Sequence, residues 1–86
     1  MRFSASNVFE YFELSPSYAV FEIETPEKWV GKTVAEVDVR RRYNVNILGL
    51  KANGEVVPML DPGYRFRADK HLIIAGDKNI GLQLAE

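Results

Sequence analysis

Apolar residues recur along the chain at two spacings, one typical of helices and one typical of strands. Between residues 4 and 14, the large apolar side chains of Val8, Phe9, Tyr11 and Phe12 form a broad stripe at helical spacing. Serines at the start of this segment can cap a helix, and Pro16 prevents its continuation. The pattern predicts a helix over residues 4–14. Its apolar face is expected to pack on the domain's own sheet or, because it is large, on a partner.

Two-residue alternation predicts the strands. Residues 18–25 alternate strongly, with Glu22 and Glu24 expected on the solvent face. Residues 45–52 form the next predicted strand, and the Asn53-Gly54 pair that follows is favoured in a type I′ hairpin turn.

The return strand of this hairpin is predicted over residues 55–60. Pro58 cannot donate a ladder hydrogen bond, so this strand is expected at an edge of the sheet. After a turn at residues 61–63, residues 71–75 form a short buried strand, and residues 78–84 form a last turn or two of helix. The order of elements predicts an α+β fold, a small and mainly antiparallel sheet with short helices.

The segment from Gly31 to Ile47 concentrates the most polar chemistry beside apolar surface, as either a structural hinge or a binding site. Thr33 and Glu36 have the spacing of a capping box, which predicts a short helix from Thr33. Asp38 is expected to cap a second short helix over residues 39–43, and Asn44 to end it. Arginines at the end of that helix are favoured by the helix dipole.

Composition indicates one small globular domain. The 86 residues are 47% hydrophobic and 27% charged, and the formal net charge of −1 gives no overall basic field for nucleic acid. The absence of cysteine excludes disulfides and thiolate metal sites. The apolar runs are shorter than the ~20 residues of a membrane helix, and residues 1–17 lack a signal-peptide pattern. So short a chain with so much apolar surface is expected to form a homodimer.

Catalysis has little support in the sequence, and the chain is not expected to be an enzyme. His71, the only histidine, is expected to be a surface or edge residue, because a metal or catalytic site needs several convergent groups. The sequence contains no glycine-rich phosphate loop and no metal-ligand spacing. A small enzyme combining His71 with carboxylates is the weakest hypothesis.

The arginines at positions 40–42 have two interpretations. They are a solvated helix end balanced by the dipole and by Asp38, or they capture an anion, since the guanidinium group matches phosphate oxygens. One such patch suits a small phosphorylated ligand rather than nucleic acid. Asn46 adds a polar side chain that either contacts that ligand or lies on the solvent face.

The same segment resembles a known family. Residues 30–40, VGKTVAEVDVR in one-letter code, and residues 43–47, YNVNI, are similar to the C-terminal regulatory domain of RCK proteins. This TrkA-C domain occurs in the TrkA-type and KtrA-type subunits that gate bacterial potassium channels and transporters. Pro58 and the strand ending at Gly76 also fit the family pattern, whereas Asp69-Lys70 departs from its usual glycine–aspartate pair.

The resemblance implies a domain at residues 18–86, preceded at residues 1–17 by a crossover helix. It also implies pairing of two copies about a two-fold axis and, as in KtrA-like members, cyclic di-AMP bound between them. The matching positions are Val34, Asp38, Arg40, Asn46, Ile47 and Pro58. Arg40 would contact a phosphate, Asp38 and Asn46 would make polar contacts, and the apolar positions would pack on the adenines.

The implied partners are an RCK N-terminal Rossmann domain or subunit and a membrane potassium-translocating subunit. The expected location is the cytoplasmic face of the membrane. The glycine-rich fingerprint of the Rossmann half is missing, so the chain is expected to be an excised domain or a separate small subunit. The main functional hypothesis is a ligand-sensing regulatory domain. The alternative is a ligand-free module that only joins subunits of the gating ring.

Overall fold

The computed structural model describes residues 8–58 and 61–85, in which short helices pack against one face of a five-stranded antiparallel sheet. The strand order is β1-β2-β5-β3-β4. All strand pairings in the described ranges are antiparallel, so the predicted α+β fold is confirmed. The elements are β1 (Val8–Ser15), β2 (Tyr18–Glu24), a 3-10 turn (Glu27–Trp29), α1 (Val34–Val37), α2 (Val39–Tyr43), β3 (Val45–Ala52), β4 (Glu55–Pro58), β5 (His71–Asp77) and α3 (Lys78–Leu84).

The first described element is a strand, so the helix predicted over residues 4–14 is wrong from Val8 onward; residues 4–7 lie outside the described part. β1 forms a hairpin with β2, and Ser15 pairs with Tyr18 across the turn at residues 16–17. The register shifts near Phe9 and again near Leu14. Each irregularity breaks the two-residue alternation, and the apolar positions then imitate helical spacing. Aromatic and β-branched side chains favour the extended form.

The core lies between the sheet and the helices. Along β2, Ala19, Phe21 and Ile23 are fully buried, and in register they oppose Gly76, Ile74 and Leu72 of β5. The helices complete this core on the same face. The largest fully buried side chains are Trp29, Phe21, Phe66, Ile23, Leu72, Ile74 and Val45.

The opposite face of the sheet carries a buried carboxylate, and the predicted solvent exposure of Glu22 is wrong. Glu22 is only 6% exposed. Its Oε2 lies 2.8 Å from Nδ1 of His71, and its Oε1 accepts from Nζ of Lys51 at 3.3 Å. Burial raises the pKa of this carboxyl, but the hydrogen bonds from His71 and Lys51 outweigh it and the net pKa is lowered. The carboxylate therefore ties three strands together.

His71 is not an edge residue, because β5 lies at the centre of the sheet. Its imidazole is stacked beneath the ring of Phe9, with centroids 4.2 Å apart. Phe9 of β1, Glu22 of β2 and the paired residue Lys51 of β3 therefore surround it. The side chain of His71 is 34% exposed, so of the two expected positions, surface or edge, the structure shows the surface one.

The β3–β4 hairpin confirms the predicted type I′ turn. Asn53 and Gly54 both have positive φ angles, 53° and 81°. β4 lies at the edge of the sheet as expected, with Pro58 opposite Gly49. The predicted end of this strand at Leu60 lies outside the described residues.

The connection from β4 to β5 fastens the start of α1. Its turn closes with the amide of Tyr64 donating to the carbonyl of Asp61 at 2.8 Å. The chain then runs alongside the loop before α1, where Val34 donates to the Tyr64 carbonyl and Phe66 to the Lys32 carbonyl. This local pairing fixes α1 against the sheet.

The predicted terminal helix is confirmed as α3. Asp77 caps it by accepting hydrogen bonds from the amides of Asn79 and Ile80. The helix packs on β2 and β5, and Gly81 lies directly against the ring of Phe21. None of the helices in the described ranges is long and apolar enough to cross a membrane.

Candidate ligand-binding site

The segment from Gly31 to Ile47 begins with the predicted capping box. The Thr33 side chain accepts from the amide of Glu36 at 3.1 Å, and the Glu36 carboxylate accepts from the amide of Thr33 at 2.8 Å. This backbone hydrogen bond lowers the pKa of Glu36. The reciprocal bonds satisfy amides that α1 would otherwise leave unpaired.

Asp38 joins α1 to α2 in a left-handed conformation, with φ and ψ both 55°. Its amide closes α1 on the carbonyl of Val34. The prediction that its side chain caps α2 is wrong, because a capping side chain needs an extended backbone at that position. The carboxylate instead lies 3.6 Å from Nε of Arg41.

Asn44 ends α2 as predicted. It too is left-handed, with φ of 55°, and its amide donates to the carbonyl of Arg40 at 3.1 Å. Asparagine tolerates this conformation better than most residues. Two left-handed residues, Asp38 and Asn44, therefore frame α2 and direct the chain into β3.

A cavity of about 240 Å³ lies where α1, α2 and β3 meet. Four of the six predicted site residues line it: Val34, Asp38, Arg40 and Ile47. Ala35 and Val39 also line the cavity, and sequence reasoning missed them. The sequence could have indicated them, because they are next to Val34 and Arg40 on the same short helices.

The cavity is apolar apart from one carboxylate and one guanidinium. Arg40 is exposed, and in the described part of the chain no carboxylate pairs with it. The apolar walls suit a flat ring, and an unpaired guanidinium suits an anionic group. This combination is complementary to a molecule that carries both.

The remaining two predicted residues, Asn46 and Pro58, do not line this cavity. Asn46 pairs with Ala75, whereas Ile47 pairs with the buried Ile74, so the two side chains lie on opposite faces of the sheet. Pro58 pairs with Gly49 on the face of Asn46. One copy of the chain therefore does not bring all six residues around one space.

A wider depression of about 580 Å³ lies beside the end of β2, the 3-10 turn and α3. Its most buried polar residue, Thr25, already donates its hydroxyl to the carbonyl of Lys70 at 2.7 Å. Among residues 8–58 and 61–85, no three His, Asp or Glu side chains are grouped to hold a metal ion. The cavity beside Arg40 is the better candidate site.

Two curated relatives match the chain. It is 34% identical over 53 residues to Ktr system potassium uptake protein C of Bacillus subtilis (strain 168), a match that covers 62% of this chain and 24% of that protein. It is 31% identical over 75 residues to Ktr system potassium uptake protein A of the same organism, over 87% of this chain and 34% of that protein. The chain thus spans about a quarter to a third of the length of these relatives.

Solved structures share the fold. The KtrA regulator of conductance of K+ (RCK) C domain, in complex with cyclic diadenosine monophosphate, superposes with a TM-score of 0.69 at 24% identity, over 79% of this chain and 80% of that one. The GsuK RCK domain gives a TM-score of 0.69 at 20% identity, over 93% of this chain and 18% of that one.

A family match identifies the domain. The profile of the TrkA-C domain matches residues 18–86, from the start of β2 onward, and leaves β1 before it. The matched region includes the capping box, both short helices and the whole cavity. This agrees with the resemblance noted in the sequence of residues 30–47. The chain belongs to the TrkA-C domain family.

Proposed function

We propose that this chain is the ligand-sensing and dimerisation domain of a Ktr-type potassium uptake system, and that it regulates cation transport by binding cyclic di-AMP between two copies. The observation that carries the proposal is the small apolar cavity with an unpaired arginine at its rim. The relatives supply the transport context, since both are Ktr potassium uptake proteins. The KtrA domain in complex with cyclic diadenosine monophosphate, whose fold this chain shares, supplies the ligand.

Arg40 is the proposed phosphate contact. Its side chain is exposed at the cavity, and its charge is not already committed to a described carboxylate. A charge-assisted hydrogen bond to a phosphate contributes about 1.5–3 kcal/mol. Val34 and Ile47 would pack against the adenine ring, because each is partly buried and apolar at the cavity wall.

Two copies are needed for the ligand to fit. A cavity of about 240 Å³ is smaller than the roughly 300–1,000 Å³ of typical small-molecule sites. Cyclic di-AMP is two-fold symmetric, so two copies related by a two-fold axis offer one equivalent half-site to each half of the ligand. Each half-site would combine the cavity of one copy with Asn46 and Pro58 from the opposite sheet face of the other copy.

The same proposal assigns the partners. An RCK N-terminal domain or subunit would carry this domain, and a membrane potassium-translocating subunit would receive the signal on the cytoplasmic side. Ligand binding shifts the dimer between two arrangements only if its affinity for the two differs. The expected role is therefore a change in dimer geometry, with no chemical step.

Isothermal titration of the chain with cyclic di-AMP tests the ligand. We expect one ligand per two chains, and an affinity loss of about tenfold or more for Arg40→Ala, from the lost charge-assisted hydrogen bond. Arg42→Ala is the matched control, because it removes the same charge from a residue outside the cavity. No heat with the wild type would favour the ligand-free assembly module instead.

Sedimentation velocity tests the dimer. We expect a dimer at micromolar concentration, with the association strengthened by cyclic di-AMP because the ligand contacts both copies. A stable monomer under both conditions would contradict the shared site. Equal loss of affinity in Arg40→Ala and Arg42→Ala would contradict the role of Arg40 and leave dimerisation untouched.

A further inference from the structure

The candidate cavity contains opposite charges that would affect an anionic ligand in opposite ways. Arg40 attracts a phosphate, whereas the carboxylate of Asp38, which also lines the cavity, repels it. An anion site with an uncompensated carboxylate in its wall binds weakly. The affinity for any ligand that carries phosphate therefore depends on whether the Asp38 charge is neutralised.

The structure pairs this carboxylate with Arg41. Oδ2 of Asp38 lies 3.6 Å from Nε of Arg41, one turn further along, and their side chains are 41% and 87% exposed. The pairing follows from the backbone. Because Asp38 is left-handed and does not cap α2, its carboxylate is released from the amides of that helix.

The neighbouring arginines have different surroundings. Residues three apart on a helix face one another, whereas residues two apart do not, so Arg41 reaches Asp38 and Arg40 does not. Arg42 lies outside the cavity and makes no ion pair with a described carboxylate. Three consecutive arginines thus divide into one that faces the cavity, one that pairs with the cavity's acid, and one in solvent.

We propose that Arg41 is a positioning residue for the ligand site: it holds and neutralises the Asp38 carboxylate, which leaves Arg40 available to an anionic ligand. The inference rests on the proposed function, and it separates Arg41 from Arg42, which the sequence alone does not distinguish. Without Arg41, the carboxylate is free to repel the phosphate or to turn towards Arg40. Either change lowers ligand affinity through Asp38.

A comparison of Arg41 with Arg42 separates this role from general electrostatics. Cyclic di-AMP affinities are measured by titration for wild type, Arg41→Ala and Arg42→Ala. Both variants lose one positive charge within four residues of Asp38, but only Arg41 is paired with it, so Arg42→Ala measures the loss of charge without the loss of that contact. We expect Arg41→Ala to lose about three- to fivefold more affinity than Arg42→Ala, the upper range for an exposed ion pair.

The same variants in an Asp38→Asn background test whether Arg41 acts through Asp38. Asparagine tolerates the left-handed backbone, so the fold is retained while the charge is removed. In this background the excess effect of Arg41→Ala should vanish, and the two arginine variants should become equal. With Asp38 present, Arg41→Lys should bind within about twofold of the wild type, because a lysine can supply the same neutralising charge.

Each outcome has one meaning. Equal losses in Arg41→Ala and Arg42→Ala would overturn the positioning role. An excess loss that persists in Asp38→Asn would also overturn it, because Arg41 would then contact the ligand itself. If the wild type does not bind cyclic di-AMP, both the proposed function and this inference are refuted. If the wild type binds and Arg41→Ala and Arg42→Ala have equal affinities, only this inference is refuted.

Discussion

The contact between α3 and β2 makes Gly81→Ala a sharp test of the packing. Gly81 lies at the middle of α3, buried against the sheet. A Cβ added there would lie within 3.0 Å of three atoms of the Phe21 ring, Cδ1, Cε1 and Cζ. Phe21 is fully buried between its neighbours, so its ring has no solvent-filled space into which it can move.

Two opposing effects determine the sign of the change. Replacing glycine by alanine inside a helix normally stabilises it by about 1 kcal/mol. Forcing a methyl group into a packed core normally costs about 1–3 kcal/mol. With three ring contacts below 3.0 Å, the upper part of that range applies, and we expect a net loss of about 1–2 kcal/mol in the free energy of unfolding. For a domain of this size, that lowers the melting temperature by roughly 5–10 °C.

Urea unfolding followed by tryptophan fluorescence measures this change. Trp29 is the only tryptophan and is 1% exposed, so its emission reports the core. Gln83→Ala, at an exposed position of the same helix, is the matched control and should change the unfolding free energy by less than about 0.5 kcal/mol.

A double-mutant cycle identifies the cause. In a Phe21→Leu background the ring is absent, so Gly81→Ala should become neutral or stabilising. If Gly81→Ala is as stable as the wild type with Phe21 present, the helix and the ring rearrange at little cost, and the packing argument is refuted. A loss that is unchanged by Phe21→Leu would place the strain elsewhere.

Three further changes test the polar contacts and the helix ends. Glu22→Gln should destabilise by about 1–2 kcal/mol at pH 7, because Lys51 and His71 lose a buried charged acceptor. Burial raises the pKa of Glu22, but the hydrogen bonds from His71 and Lys51 lower it by more, so the folded pKa lies below the unfolded value. The contribution of the carboxylate is therefore present above the unfolded value of about 4.5 and is lost as pH falls through the folded pKa. Urea unfolding should show the two proteins converging as pH falls below about 4.5, and a constant difference would contradict the linkage. Thr33→Ala should cost about 1 kcal/mol through the lost capping box, and Thr33→Ser much less. Asn44→Ala should cost about 1 kcal/mol because its backbone is left-handed, whereas Asn44→Gly should be nearly neutral; equal effects would remove the backbone explanation.

Local chemistry explains which elements could be predicted from the sequence. The third strand was predicted with its observed bounds, because asparagines with left-handed backbones lie at both of its ends, Asn44 and Asn53. The capping box and α3 were predicted for a similar reason, since each depends on residues within one helical turn. Where a few neighbouring residues determine the backbone geometry of an element, the sequence was sufficient to predict that element.

Elements that depend on distant contacts were not predictable in this way. β1 imitates a helix in its spacing, and only its pairing with β2 and the two register shifts show it to be a strand. Glu22 is buried by partners 29 and 49 residues away, Lys51 and His71. In the two-residue alternation of β2, Glu22 and the exposed Glu24 occupy equivalent positions, so the pattern does not distinguish them.

The candidate site combines both cases. The family resemblance, and not periodicity, selected the six site residues, and four of them share one cavity. Those four lie within 14 consecutive positions on adjoining elements, so local structure brings them together. The pairing of Asp38 with Arg41 depends on a left-handed backbone that the sequence pattern did not indicate.

The position of Asn46 leads to a stricter test of the whole ligand hypothesis. Because Asn46 and Ile47 lie on opposite faces of the sheet, one ligand molecule contacts both residue types only where two copies meet. Ligand binding and dimerisation must then be linked, and the apparent affinity for cyclic di-AMP must fall when the chain is diluted below its dimer dissociation constant. Asn46→Ala should weaken binding at every concentration, without changing the dependence on chain concentration. An affinity that is the same for dilute monomer and concentrated dimer would mean that the cavity beside Arg40 acts alone, and Asn46 and Pro58 would then be removed from the site.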